Sequence, residues 1–105
     1  MGAQGITTIN FGTSLTGSLE ASTTVTGQTS ILAGSLVEAW IIPSGTADHT
    51  VDEHTVDPPR VVAGNIVAGT GFTIYGYAPD TPANISQYTD VPKHYGLWAV
   101  AWVWN

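Results

Sequence analysis

The residues best equipped for chemistry fall in one segment, Asp48-His-Thr-Val-Asp-Glu-His-Thr-Val-Asp57. It holds four of the eight acidic residues and a direct repeat, His49-Thr-Val-Asp52 and His54-Thr-Val-Asp57, offset by five. Imidazole and carboxylate together are a ligand set for zinc or manganese. The offset argues against a local metal site. On a strand it sends His49 and His54 to opposite faces, and on a helix it separates them by roughly 140°. His49 and Glu53 share a face in either structure, but two ligands seldom suffice. The segment therefore reads as a polar excursion, with one turn of helix capped by Thr46 or Asp48 and stopped by Pro58-Pro59. His49, Glu53 and His54 are then candidates for polar contact with a neighbouring subunit. Three copies around a symmetry axis would bring together a site that one chain cannot.

Other chemical signatures are missing. Gly69-Thr-Gly71 lacks the third glycine and following helix of a dinucleotide fingerprint and reads as a turn. There is no Gly-x-Ser-x-Gly elbow. Glu38 and Glu53 are acids of the kind that work in pairs on glycosidic bonds, but nothing in the sequence places them together. The absence of cysteine removes disulfides, thiolate zinc sites and cysteine nucleophiles, and fits a reducing compartment or a particle assembled in one. The expectation is a non-enzymatic chain with no metal and no cofactor.

The elements that must position these residues read as β structure. Val, Ile, Thr and aromatics dominate, and turn residues recur every 8 to 12 positions or so, the rhythm of an all-β sandwich or barrel. Ile6, Ile9 and Phe11 suggest a first strand, and Ala21, Thr23 and Val25 a second. Residues 1–30, rich in Thr, Ser and Gly, read as a flexible N-terminal arm with these first strands, able to order against a partner. Residues 31–105 form the sandwich body, all within one domain. Leu36 to Ile42 is a strand ended by Pro43. Arg60 to Val67 is a strand interrupted at Gly64-Asn65. Phe72 to Ala78 alternates, with Phe72 and Ile74 on one face and Thr73, Tyr75 and Tyr77 on the other. Pro79 to Pro92 reads as a loop.

The chain closes on Trp98-Ala-Val-Ala-Trp-Val-Trp-Asn105. As a strand it sets Trp98, Val100, Trp102 and Trp104 on one face and Leu97, Ala99, Ala101 and Val103 on the other. A sheet covered on one side shows polar residues at alternate positions, and this strand shows none before Asn105. The expectation is cover on both sides, with another subunit the simplest source. Trp40, Trp98, Trp102 and Trp104 then read as core or subunit interface. The competing use of aromatics on a sandwich is stacking against sugar rings, as in a carbohydrate-binding module.

Composition narrows the classes further. Of 105 residues, 43% are hydrophobic and 10% charged, and the formal net charge is −6. Arg60 and Lys93 are too few to neutralise a phosphate backbone, so nucleic acid is not an expected partner. No run of 18 apolar residues exists, so no membrane helix is expected. The N-terminus lacks the basic start and apolar run of a secretory signal.

Several segments resemble a group of small tailed-bacteriophage virion-associated proteins. They are Leu36-Val-Glu-Ala-Trp-Ile41, Ala47-Asp-His49 with Asp52-Glu-His54, Ala63 to Tyr75, and the ending Trp98 to Asn105. The similarity spans roughly residues 30 to 105 and brings no catalytic motif. Size, absent cysteine and Thr/Gly richness are also similar to capsid decoration (cement) proteins. The resemblance implies an antiparallel sandwich or jelly-roll-like barrel, assembled in the host cytoplasm and located on the outer capsid of the virion. Its implied partners are the major capsid protein and further copies of itself, as a trimer or dimer. A phage tail, fibre or adaptor component is the alternative within that group. The interface residues expected are Ile6, Ile9, Phe11, Trp40, His49, Glu53, His54, Trp98, Trp102 and Trp104.

Overall fold

A computed structural model describes residues 2–13, 17–56, 58–78 and 94–105. Its strands are β1 (Ala3–Asn10), β2 (Glu20–Val25), β3 (Val37–Ile41), β4 (Arg60–Val67), β5 (Gly71–Tyr77) and β6 (Leu97–Trp104), with one short helix, α1 (Val51–Val56), between β3 and β4. They form two antiparallel sheets, ordered β1-β6-β3 and β2-β5-β4. The sheets pack face to face as a sandwich, with β1 near β2 and β3 near β4 across the gap.

Alternation decides which residues meet in that gap. The inward positions of β6 are Trp98, Val100, Trp102 and Trp104, all buried. Their partners on β1 and β3 face the same way, among them Ile9 opposite Trp98 and Ile41 opposite Val100. The second sheet answers with Val25, Phe72 and Ile74, and Phe72 meets Trp102 edge to face at 5.5 Å. Each large side chain removed from water here contributes about 1.5–3 kcal/mol. Both indole N–H groups of Trp98 and Trp104 have partners inside the chain, the Tyr95 carbonyl and the Gln28 side-chain oxygen.

The interruption expected at Gly64-Asn65 is a register shift in the β4–β5 ladder between Gly64 and Val67, with Asn65 at φ 52°. Asparagine is one of the few non-glycine residues that tolerate this left-handed geometry. The opening segment departs from the arm reading. Ala3–Asn10 pairs residue for residue with β6, from Ala3 opposite Trp104 to Asn10 opposite Leu97. The partner it orders against is the chain's own last strand. The loop expected over Pro79 to Pro92 lies outside the described residues.

Candidate functional site

The histidine segment solves a problem that β3 creates. Leu97, Ala99, Ala101 and Val103 turn their backbone groups toward β3, but β3 runs alongside only part of β6. After Ile42 donates to the Ala99 carbonyl, the chain leaves the sheet. The remaining donors and acceptors would be an open edge. Side chains replace the missing strand. Thr46 Oγ1 donates to the Leu97 carbonyl at 2.7 Å, Asp48 Oδ2 accepts from the Leu97 N–H at 2.8 Å, and His54 Nε2 accepts from the Ala99 N–H at 3.0 Å. The Asp48 carboxyl fits because Gly96 lies against it. A side chain at Gly96 would begin 2.6 Å from Asp48 Cβ, and its φ of +72° favours glycine as well.

Helix α1 holds the third of these groups. Its cap is Thr50, in place of the expected Thr46 or Asp48. Thr50 Oγ1 accepts from the Glu53 N–H, and Glu53 Oε1 accepts from the Thr50 N–H at 2.9 Å. This is the reciprocal capping box, and its signature Thr50-Val-Asp-Glu53 is present in the sequence. Thr46 instead accepts from the backbone N–H groups of Asp48 and His49, which folds the approach to the helix.

The two histidines are in different hydrogen-bonding states. His54 Nδ1 faces the Thr50 carbonyl at 2.8 Å, which can only accept, while Nε2 faces a backbone N–H, which can only donate. These partners assign a neutral ring with its proton on Nδ1. His49 faces acceptors at both nitrogens, Glu53 Oε2 at 3.1 Å from Nδ1 and the Tyr95 carbonyl at Nε2. That ring is fully satisfied only when both nitrogens carry protons. It stacks on Trp98 with centroids 3.9 Å apart, and His54 and His94 tilt against the same indole at 4.9 and 5.0 Å. The Glu53 carboxyl is held below its ordinary range, first by the Thr50 backbone N–H and then by the bond to His49.

This cluster is built as a structural plug. His49 and His54 are buried, and their ring nitrogens are committed to protein partners. Among the described residues, no three His, Asp or Glu side chains converge in a way that could hold a metal ion. Among the described residues, no hydroxyl nucleophile bonds to either ring. The direct repeat places one histidine at each end of the capping turn, 6.3 Å apart and edge to face.

The expected contact residues divide sharply. Ile9, Phe11, His49, His54, Trp98, Trp102 and Trp104 are interior, each below 10% exposed. In the folded chain they offer a neighbour no surface, because the second sheet and the plug already cover them. Glu53 is exposed but turned into its helix cap. Ile6 and Trp40 are the two at the surface, 72% and 44% exposed. They are brought together. Both lie opposite Ala101, on either side of it, on the outer face of β1-β6-β3. Leu36, 76% exposed, lies on the same face beside the start of β3, with the exposed Glu38 between it and Trp40. Ala99 and Ala101 between them are already buried within one chain, so small side chains on that flank remove part of the need for a cover. Leu36 was visible in the sequence as the first apolar residue of its strand. Its solvent-facing side could be assigned only once its partner Asn105 was known.

No protein-family profile matches the chain, and neither the curated proteins nor the solved structures include one similar to it.

Proposed function

We propose that this is a structural phage virion protein, most simply a capsid decoration protein that stabilises a shell by bridging its subunits. The observation that carries the reading is the pair Ile6 and Trp40, both exposed and flanking Ala101 on the outer face of β1-β6-β3. Large apolar side chains exposed beside one another on a small domain mark a contact surface. The assignment of that contact to a phage shell rests on the sequence resemblance. Binding requires no chemistry. Contact area that exists only in the assembled shell favours that state by mass action, and many modest contacts add up. The net charge of −6 suits the outer side of a particle, away from packaged phosphate.

The test is cosedimentation of the purified chain with shells of the major capsid protein, beside the double variant Ile6→Glu, Trp40→Glu. The wild type should pellet with the shells in hundreds of copies per particle, and the variant should stay in the supernatant with an unchanged melting temperature. A few copies per particle would move the protein to the tail. Equal pelleting of both proteins would remove the role assigned to this face.

A further inference from the structure

The opposite face of the sandwich carries a second feature, independent of the capsid reading. On β5 the outward residues are Thr73, Tyr75 and Tyr77. Register aligns them into rows across the sheet. Glu20, Tyr77 and Arg60 form one row, Ser22, Tyr75 and Val62 the next, and Thr24, Thr73 and Gly64 the third. The Arg60 guanidinium carbon stands 4.9 Å from the centre of the Tyr77 ring. Arg60 lies on the β4 side, so it pins that ring from one flank and leaves the other toward β2. There a groove of about 410 Å³ is lined by Glu20, Ala21, Ser22, Tyr75 and Tyr77.

The chemistry of this groove selects among ligands. Two phenol rings on one face of a strand sit about 7 Å apart along it, the scale of a sugar residue. Their faces suit the C–H side of a pyranose, and their hydroxyls remain free to hydrogen-bond. Glu20 supplies acceptors and Ser22 supplies both donor and acceptor. The row carries one negative and one positive charge, so it is balanced in a chain that is strongly acidic overall. An anionic polymer meets no net attraction here, and an apolar protein segment would strand the polar rim. A neutral polyhydroxylated ligand matches every group.

We propose that the β2–β5 groove is a binding site for a neutral oligosaccharide, stacked on Tyr75 and Tyr77 and oriented by Glu20 and Ser22, with Arg60 holding the Tyr77 ring from its far side. If the chain also coats a shell through its β1-β6-β3 face, this groove points outward. The binding is a property of the free chain and stands or falls without the shell.

The experiment is a backbone-amide NMR titration of the whole chain with cellohexaose, maltohexaose, xylohexaose and chitohexaose, each to about 10 mM. At least one should shift amides in Glu20–Ser22, Arg60–Val62 and Thr73–Tyr77 while leaving those of Ile6 and Trp40 in place. Tyr75→Ala and Tyr77→Ala should each weaken that sugar about tenfold or more, and Tyr77→Phe should weaken it less. Both positions are half-buried on the outer face of the sheet, so the wild-type melting temperature should be largely kept. If an alanine variant unfolds, Tyr77→Phe and Glu20→Gln serve in its place. The site is refuted by silence from all four sugars, by shifts centred elsewhere, by alanine variants that bind like wild type, or by stronger binding of heparin than of any neutral sugar.

Discussion

Truncating His54 to alanine tests whether the plug replaces a strand. His54 is 3% exposed and its Nε2 is the partner of the Ala99 N–H. Its loss leaves a buried donor unmet beside a residue only 4% exposed, which costs about 1–3 kcal/mol. The ring also leaves Trp98, 4.9 Å away, and an aromatic contact of this kind is worth about 0.5–1.5 kcal/mol. Together these give a destabilisation of roughly 2–4 kcal/mol, a large share of the ~5–15 kcal/mol typical of a domain. For a chain of this length the melting temperature should fall by roughly 10–25 °C. Urea unfolding followed by tryptophan emission measures the loss. NMR hydrogen exchange at the Ala99 amide, protected in the wild type, localises it. Thr55→Ala is the control, an exposed position on the same helix expected within about 0.5 kcal/mol of wild type. A His54→Ala loss below about 1 kcal/mol, or an Ala99 amide that exchanges as before, would show that water serves this edge as well as the imidazole does.

Other perturbations probe separate parts of the molecule. The Thr50 backbone N–H and then the bond to His49 hold the Glu53 carboxyl below its ordinary range in the folded chain, so the fold favours the carboxylate. Its contribution is present above that ordinary range and is lost as pH falls through the lowered value. Glu53→Gln should therefore flatten the acid limb of a stability–pH curve below neutrality, measured by urea midpoints from pH 3 to 6 or so; an unchanged limb would remove the carboxylate from the acid response. Ile74, fully buried, should cost about 2–5 kcal/mol as Ile74→Ala in urea unfolding. Gly71→Ala should be more disruptive than its single methyl suggests, because the new carbon would lie 1.8 Å from the Val25 carbonyl oxygen. Loss of the β2–β5 amide cross-peaks or a drop in melting temperature would report it.

Much of the fold could be read from alternation. The two faces of Phe72–Tyr77 and of Leu97–Trp104 follow from spacing alone, and the break at Gly64-Asn65 was marked by its residue types. Pairing was less accessible. Nothing local says that the first strand joins the last, or that β6 is central with β1 and β3 on its flanks. The indoles of β6 are covered by the opposing sheet β2-β5-β4 and by the histidine segment. The histidine segment reads locally as a polar excursion, because the backbone groups its side chains meet, at Tyr95, Leu97 and Ala99, stand over forty residues away in sequence. The capping box at Thr50 and Glu53 is legible in the sequence as Thr50-Val-Asp-Glu53.

The order of strands also sets the order in which the chain can settle during synthesis. The sheet β2-β5-β4 is complete once Tyr77 has left the ribosome. The other sheet waits for its middle strand, which emerges last, and until then β1 and β3 have nothing to hold. Until β6 emerges, nascent molecules are half a sandwich with Phe72 and Ile74 uncovered, and closure is long-range and slow by the standards of small domains. A chaperone that shields such surfaces should matter more to the yield of this protein than its modest length implies.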